Sequence, residues 1–248
     1  MKAKAMNNTL WFSWARTHVG MVRKVNQDAF ADLPDKQLWV VADGMGGHQN
    51  GNMASAEIVK AFKQFEPEER IGTTVKKIYL QLKKVNYSLL EQAAQAGGGA
   101  VIGSTVAILY AKQSRCVIIW SGDSRIYLFR RGELKQITRD HNNEPRLLAE
   151  GFSHEEIKVH PYAQILTHAI GGEPEAFLDV QTQEVRHGDI FLLCSDGLNK
   201  EVTDREIEEV LRRLPCPQAV NDLMDLALHR GGRDNITLML VQASNVYN

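Results

Sequence analysis

The sequence predicts an α+β fold built on antiparallel sheets. Strand-like apolar runs come in blocks joined by short turns, and amphipathic helices come in blocks of their own. Regular strand–helix–strand alternation, the mark of a parallel sheet, is missing. The chain has 248 residues, 44% hydrophobic and 24% charged, an ordinary soluble composition. A chain of this size buries enough surface to need no staples. We expect one domain over residues 9–248 and a frayed tail over residues 1–8.

Trp11 to Val41 reads as short strands with polar breaks. Asn52 to Phe65 reads as a helix, because Ile58, Phe62 and Phe65 fall at i, i+4 and i+7. Thr73 to Ala96 reads as a longer helix with Ile78, Leu82, Val85 and Leu89 in one stripe, ended by Gly97, Gly98 and Gly99. From Ser104 to Thr138 the runs TVAILYA, CVIIWSG, RIYLFRR and LKQIT alternate with turns, which predicts a meander. Arg139 to Phe177 has no clean period, and an irregular flap is expected over about 140–178. EVRHGDIFLLCSDG returns to strand. TDREIEEVLRRL opens a helix with a capping box, Thr203 at the N-cap and Glu206 at N3. A further helix runs from Pro217 to Gly231, and ITLMLVQ closes as a strand.

Charge and cysteine usage exclude several function classes. Lys plus Arg is 29 against 30 Asp plus Glu, so phosphate neutralisation of nucleic acid is not expected. No apolar run approaches the ~18 residues of a membrane span, and the N-terminus lacks a signal-peptide stretch. Cys116, Cys194 and Cys216 lack metal spacing and read as buried small hydrophobes in a reducing, cytoplasmic compartment. His18, His154, His187 and His229 read as solvent or structural residues. There is no HExxH and no GxxxxGK loop.

The informative feature is where aspartates fall. LWVVAD ends at Asp43, CVIIWSGD at Asp123 and IFLLCSD at Asp196, each beside a glycine (Gly44, Gly122, Gly197). Asp234, in GGRDN, precedes ITLMLV. In antiparallel sheets, strand ends and neighbouring strand starts share an edge, so these acids can converge. Converging carboxylates repel and lose hydration, and a hard divalent cation answers both problems. Glycine neighbours would let a backbone carbonyl approach such an ion. Asp-Gly is also a common turn dipeptide, and the pattern alone leaves turns and ligands both open. RKVNQD could set Arg23 beside a metal carboxylate, or be a surface Arg before a turn.

Together these segments resemble the metal-dependent protein serine/threonine phosphatases of the protein phosphatase 2C family, in its bacterial form. RKVNQD, VADGMGGH, GSTV, SGDSRIY, a His-Pro-containing flap, LLCSDGL and GGRDNIT occur in the family's order from about Thr17 to Val241. The resemblance implies a four-layer αββα sandwich of two antiparallel sheets flanked by helices. It also implies two Mn²⁺ or Mg²⁺ ions in an edge cleft. Asp43 would bridge them and the Gly44 carbonyl would bind the second. Asp196 and Asp234 would hold the first, and Asp28 would act through water. Asp123 with Asp196 would hold a third, weaker ion. Arg23 would clamp the substrate phosphate while a metal-bridging hydroxide attacks phosphorus.

The implied activity is hydrolysis of phosphoserine and phosphothreonine in proteins, opposing a bacterial Ser/Thr kinase. The expected partners are phosphorylated proteins, with no nucleic acid, no membrane and a monomeric chain. A catalytically silent regulatory relative or a small phosphate-ester hydrolase are the alternatives; all five aspartates are retained, against the first. Two departures stand out. Some members carry a histidine, a candidate general acid, where this chain has Met45, with His48 nearby. Bacterial members often have Asn and Arg where this chain has Gln164 and His168.

Overall fold

The computed structural model describes residues 9–46 and 50–245. The expected N-terminal tail lies outside the described residues, as does His48. The strands are β1 (Thr9–His18), β2 (Asp28–Leu33), β3 (Leu38–Met45), β4 (Gly103–Ser104), β5 (Val106–Lys112), β6 (Arg115–Ser121), β7 (Arg125–Arg130), β8 (Glu133–Gln136), β9 (Asp179–Glu184), β10 (Ile190–Cys194) and β11 (Ile236–Asn245). The helices are α1 (Asn50–Lys63), α2 (Ile71–Ala96), α3 (Glu144–Ala149), α4 (His154–Lys158), α5 (Asp196–Asn199), α6 (Asp204–Arg213) and α7 (Cys216–His229). One sheet runs β1-β11-β10-β7-β8 and the other β2-β3-β5-β6-β9, with β4 on β3. Every described pairing is antiparallel.

The central strands alternate between two interiors, which explains why β3, β5, β6 and β10 are so apolar. In β3, Leu38, Val40 and Ala42 face the α1–α2 layer, where Ile58, Phe62, Ile78, Leu82 and Leu89 are buried. Trp39 and Val41, on the other side, enter the core between the sheets with Leu109, Ile118, Phe191, Leu193 and Met239. In β10 and β11, Leu192, Cys194, Leu238 and Leu240 meet Ile207, Leu211, Leu223 and Met224 of α6 and α7. A side-chain period of two, buried on both faces, yields four layers, as the family resemblance implied. At roughly 25 cal/mol per Å² of apolar surface, these three cores dominate stability.

The helices end as the chain dictates. α2 stops where Gly97 takes φ 69°, and the capping box of α6 is formed, with Thr203 Oγ1 and Glu206 Oε2 2.7 Å apart. The expected meander is corrected. β5–β6 and β7–β8 are two hairpins in different sheets. The chain crosses between sheets at Ser121–Ser124, where Gly122 has φ 102° and a Cβ would strike the Thr105 side chain. Hairpin patterns fix local pairs but not which sheet each pair joins. Strand β9 ends at Glu184, the residue at which EVRHGDIFLLCSDG predicts a strand to begin. It is a mostly exposed edge strand with Val180 its one large apolar side chain, so alternation gave little signal. Residues 139–178 hold only α3, α4 and the isolated bridges Ser104–Ile170 and Asn142–Leu166, in keeping with their irregular sequence. Among the described residues, no helix is long and apolar enough to cross a membrane.

Candidate functional site

The topology delivers the aspartates to one edge of the sandwich. Asp28 opens β2 and stands opposite Asp43 of β3 in the antiparallel register. Asp123 lies in the crossing between the sheets, just past β6. Asp196 is the first residue of α5 rather than part of a plain turn, and Asp234 precedes β11. Asp43, Asp123, Asp196 and Asp234 line one cavity of about 570 Å³ with Arg23, Gly44, Met45, Thr105, Gln164, Leu166 and Asn235. A larger groove, about 1010 Å³, lies between α1 and α2, but it holds no such concentration of buried acids.

Each carboxylate is held by neighbours that pattern reading did not single out. Thr105 Oγ1 accepts the Asp43 amide at 3.1 Å, and Ser104 Oγ donates to the Asp43 carbonyl at 2.9 Å. Ser195 Oγ donates to Asp28 Oδ2 at 2.7 Å and accepts the Thr237 amide at 3.0 Å, tying β2, β10 and β11 together. Asn235 donates to the carbonyls of Val19 (2.8 Å) and Val25 (3.0 Å) and accepts the Gln27 amide (2.8 Å). One amide side chain therefore locks the RKVNQD loop onto the GGRDN turn. The signal was present in SDG, GST and RDN, as small polar residues adjoining the acids, but single residues of that kind are common in turns.

Two of the glycines beside these acids also have a packing role. A Cβ on Gly44 would run into the Gly51 carbonyl, and one on Gly197 into that of Asn235. These two positions require glycine for backbone-to-backbone packing of α1 on β3 and of α5 on β11. That packing brings the Asp43 and Asp196 segments to the same edge.

The electrostatics are those of acids without enough partners. Burial, followed by the charges of Asp28, Asp196, Asp123 and Asp234, pushes Asp43 well above the usual carboxylate range. Burial raises Asp28 to about 6 against hydrogen bonds from Ser195 and Thr237, and raises Asp123 to about 7. Burial also raises Asp196, with Lys200 pulling the other way. Asp28 Oδ1 and Asp196 Oδ1 are buried with no hydrogen-bond partner. Two cations reach the acids. Arg23 Nη2 donates to Asp234 Oδ2 at 3.0 Å from a side chain 53% exposed, and the Lys200 ammonium pairs with Asp196. Among the described residues, no three acidic, cysteine or imidazole side chains close into a ready-made cage around one point. The acids instead face a shared cavity.

The flap residues that depart from the expected pattern divide. Gln164 lines the cavity and donates to Glu144 at 2.7 Å, while His168 stacks on Phe177 at 4.2 Å. The cysteines are buried and free, and burial lifts Cys116 and Cys194 to about 12, so no thiolate nucleophile competes for the chemistry.

Comparison with known proteins gives the arrangement a family. The chain is 34% identical over 227 residues to serine/threonine protein phosphatase PstP of Mycobacterium tuberculosis, covering 91% of this chain and 44% of that protein. It thus spans less than half of PstP. It is 34% identical over 236 residues to serine/threonine phosphatase stp of Listeria monocytogenes, covering 92% of this chain and 94% of that one. The crystal structure of the catalytic domain of PstP in complex with two manganese ions superposes with a TM-score of 0.84 at 31% identity, covering 96% and 100% of the two chains. A family model described as Protein phosphatase 2C matches residues 20–234, a span that takes in Arg23 and all five clustered aspartates. On that match and the shared two-sheet architecture, the chain belongs to the protein phosphatase 2C family.

Proposed function

We propose that this chain is a Mn²⁺- or Mg²⁺-dependent protein serine/threonine phosphatase. The observation that carries the reading is the set of buried, mutually repelling aspartates facing one cavity, with the partnerless oxygens of Asp28 and Asp196. Carboxylates left in that state fit hard divalent cations, which accept oxygen ligands and cancel the repulsion. Asp43, Asp196 and Asp234, with the Gly44 carbonyl, would hold two such ions, and Asp28 would act through water. Asp123 extends the cluster toward a third position. The ions would supply charge neutralisation for phosphoryl oxygens and acidify water near neutral pH.

The chain's own groups then have distinct tasks. Arg23 is half-exposed at the cavity rim and uses one nitrogen on Asp234, leaving other donors for the oxygens of a phosphate monoester. Thr105 and Ser104 fix the backbone of Asp43, and Ser195 fixes one oxygen of Asp28, so that the acids need little reorganisation. Met45, on the cavity wall, carries no transferable proton, so the leaving Ser or Thr oxygen takes its proton from another donor. We extend the reading to phosphorylated proteins as substrates, a Ser/Thr kinase as the opposing enzyme, and residues 9–248 acting as one monomeric unit. The three free thiols suit a reducing cytoplasm.

The test is phosphate release from a phosphothreonine peptide with Mn²⁺, with EDTA, and with Asp196→Asn. Turnover that needs Mn²⁺ and disappears in both controls is the expected result. A folded chain that binds Mn²⁺ yet releases phosphate from no phosphopeptide overturns the protein-phosphatase reading. Turnover of small phosphate esters alone would redirect it to that class.

A further inference from the structure

Lys200 is the residue at this site that neither the sequence motifs nor the roles above use. It follows α5, four residues after Asp196, and its amide donates to the Asp196 carbonyl at 2.9 Å. That helical spacing returns the side chain over the acid that starts the turn. The ammonium pairs with Asp196 and lies 4.0 Å from Asp234 Oδ2. Burial works against its charge, yet Asp196, Asp123 and Asp234 together raise its pKa. The side chain is 41% exposed, so it has room to withdraw along its flexible stem.

We propose that the Lys200 ammonium is a tethered cation seated on Asp196 and close to Asp234, competing with divalent ions for the Asp196 carboxylate. Lys200 is part of the chain and needs no association step. In the metal-free chain it therefore neutralises part of the acidic cluster, and it opposes loading of an ion held by Asp196. The inference rests on the proposed reading of the aspartates as a divalent-metal centre.

Equilibrium dialysis with Mn²⁺ alone, read as bound metal per chain, tests it on the wild type, Lys200→Ala, Lys200→Gln and Lys200→Arg. The neutral variants should bind one Mn²⁺ more per chain than wild type, or bind their weakest ion at least ~10-fold tighter, since one unit charge is removed at close range. Lys200→Arg should match wild type. Adding Asp196→Asn to Lys200→Ala should erase the gain. In EDTA the neutral variants should melt below wild type, and Mn²⁺ should close that gap. Using two neutral variants guards against one that folds poorly. Equal, non-zero Mn²⁺ binding by wild type and both neutral variants overturns the role of Lys200 while leaving the metal centre intact. No Mn²⁺ bound by any form overturns the metal reading, and this inference with it.

Discussion

Glu206 and Asp123 are both carboxylates, and the fold treats them in opposite ways. Glu206, at the third position of α6, accepts hydrogen bonds from Arg230 and from Thr203, and those partners hold it down at about 2. Asp123, in the crossing between the sheets, is buried and pushed up to about 7, with Asp196 adding to the shift. The α6–α7 side carries its counter-charges within the chain: Arg230 on Glu206, Arg212 on Glu208 and Arg233 on Glu201. The cavity edge gathers Asp43, Asp123, Asp196 and Asp234, with Asp28 paired opposite Asp43, near Arg23, Lys24 and Lys200. A carboxylate with its own partners is architecture. A group of them short of partners fits a site that takes its counter-charge from outside.

The sharpest way to break the comparison is Asp43→Asn. An amide of the same shape removes a buried charge that burial and four other aspartates oppose. Turnover of a phosphothreonine peptide should fall at least ~10³-fold, roughly 4 kcal/mol of transition-state stabilisation. In EDTA the same variant should melt above wild type, because the repulsion is gone. Lower melting in EDTA would mean that Asp43 is a structural acid like Glu206, and the contrast would fail.

Arg23→Ala comes next. Its side chain is half-exposed and its ion pair lies at the rim, so differential scanning calorimetry should find the melting temperature nearly unchanged. The ratio kcat/KM should fall by ~10²-fold, about 2.7 kcal/mol, through loss of paired contacts to phosphate. Arg23→Lys should recover only part, since a point charge lacks the fork. Full activity in Arg23→Ala would remove this residue from the phosphate site.

Thr203→Ala probes the other region. Loss of the α6 N-cap should cost about 1 kcal/mol, a fall of roughly 2–4 °C in melting temperature for a chain of this size. Turnover at 25 °C with saturating Mn²⁺ should stay as in wild type. A large loss of activity would show that the two regions are coupled, contrary to their separate hydrogen-bond sets.

What the sequence disclosed follows the same division. The α2 stripe, the Gly97 stop and the Thr203–Glu206 box were legible because each is local, with cause and effect within a few residues. The acids were legible as strand-end residues and, through their ordered motifs, as a family pattern. Their supports were not. Asn235 reaches back 210 residues to Val25, and Ser195 reaches 167 to Asp28. No periodicity encodes such pairings. The β6-to-β7 crossing escaped for the same reason: a Gly-containing turn looks alike whether it folds a hairpin or hands the chain to another sheet. Lys200 escaped because a lysine in a polar segment normally points to solvent.

The smallest expected effect concerns His141, which ties the irregular 139–178 segment to the site. Its Nδ1 accepts the Gly122 amide at 3.1 Å, so Nε2 carries the proton toward Asp179 at 3.1 Å. Burial lowers its pKa from the ordinary 6.5; Asp179 and Asp140 oppose that and His168 assists it. A histidine with a lowered pKa in the folded state takes up its proton less readily than in the unfolded chain. Its contribution is therefore complete above about pH 6.5 and is lost as pH falls below it. Protonation at Nδ1 would also replace the acceptor for Gly122 with a donor. His141→Gln can still accept that amide and does not titrate. Melting curves from pH 8 to pH 5 in EDTA should show wild type losing stability relative to the variant as pH falls. The aspartates titrate in both proteins and cancel in the difference. The relative loss should be a few degrees at most, since 1 kcal/mol moves the melting point only about 2–4 °C here. Parallel curves would show that His141 stays neutral throughout and that its contact with Gly122 is insensitive to acid.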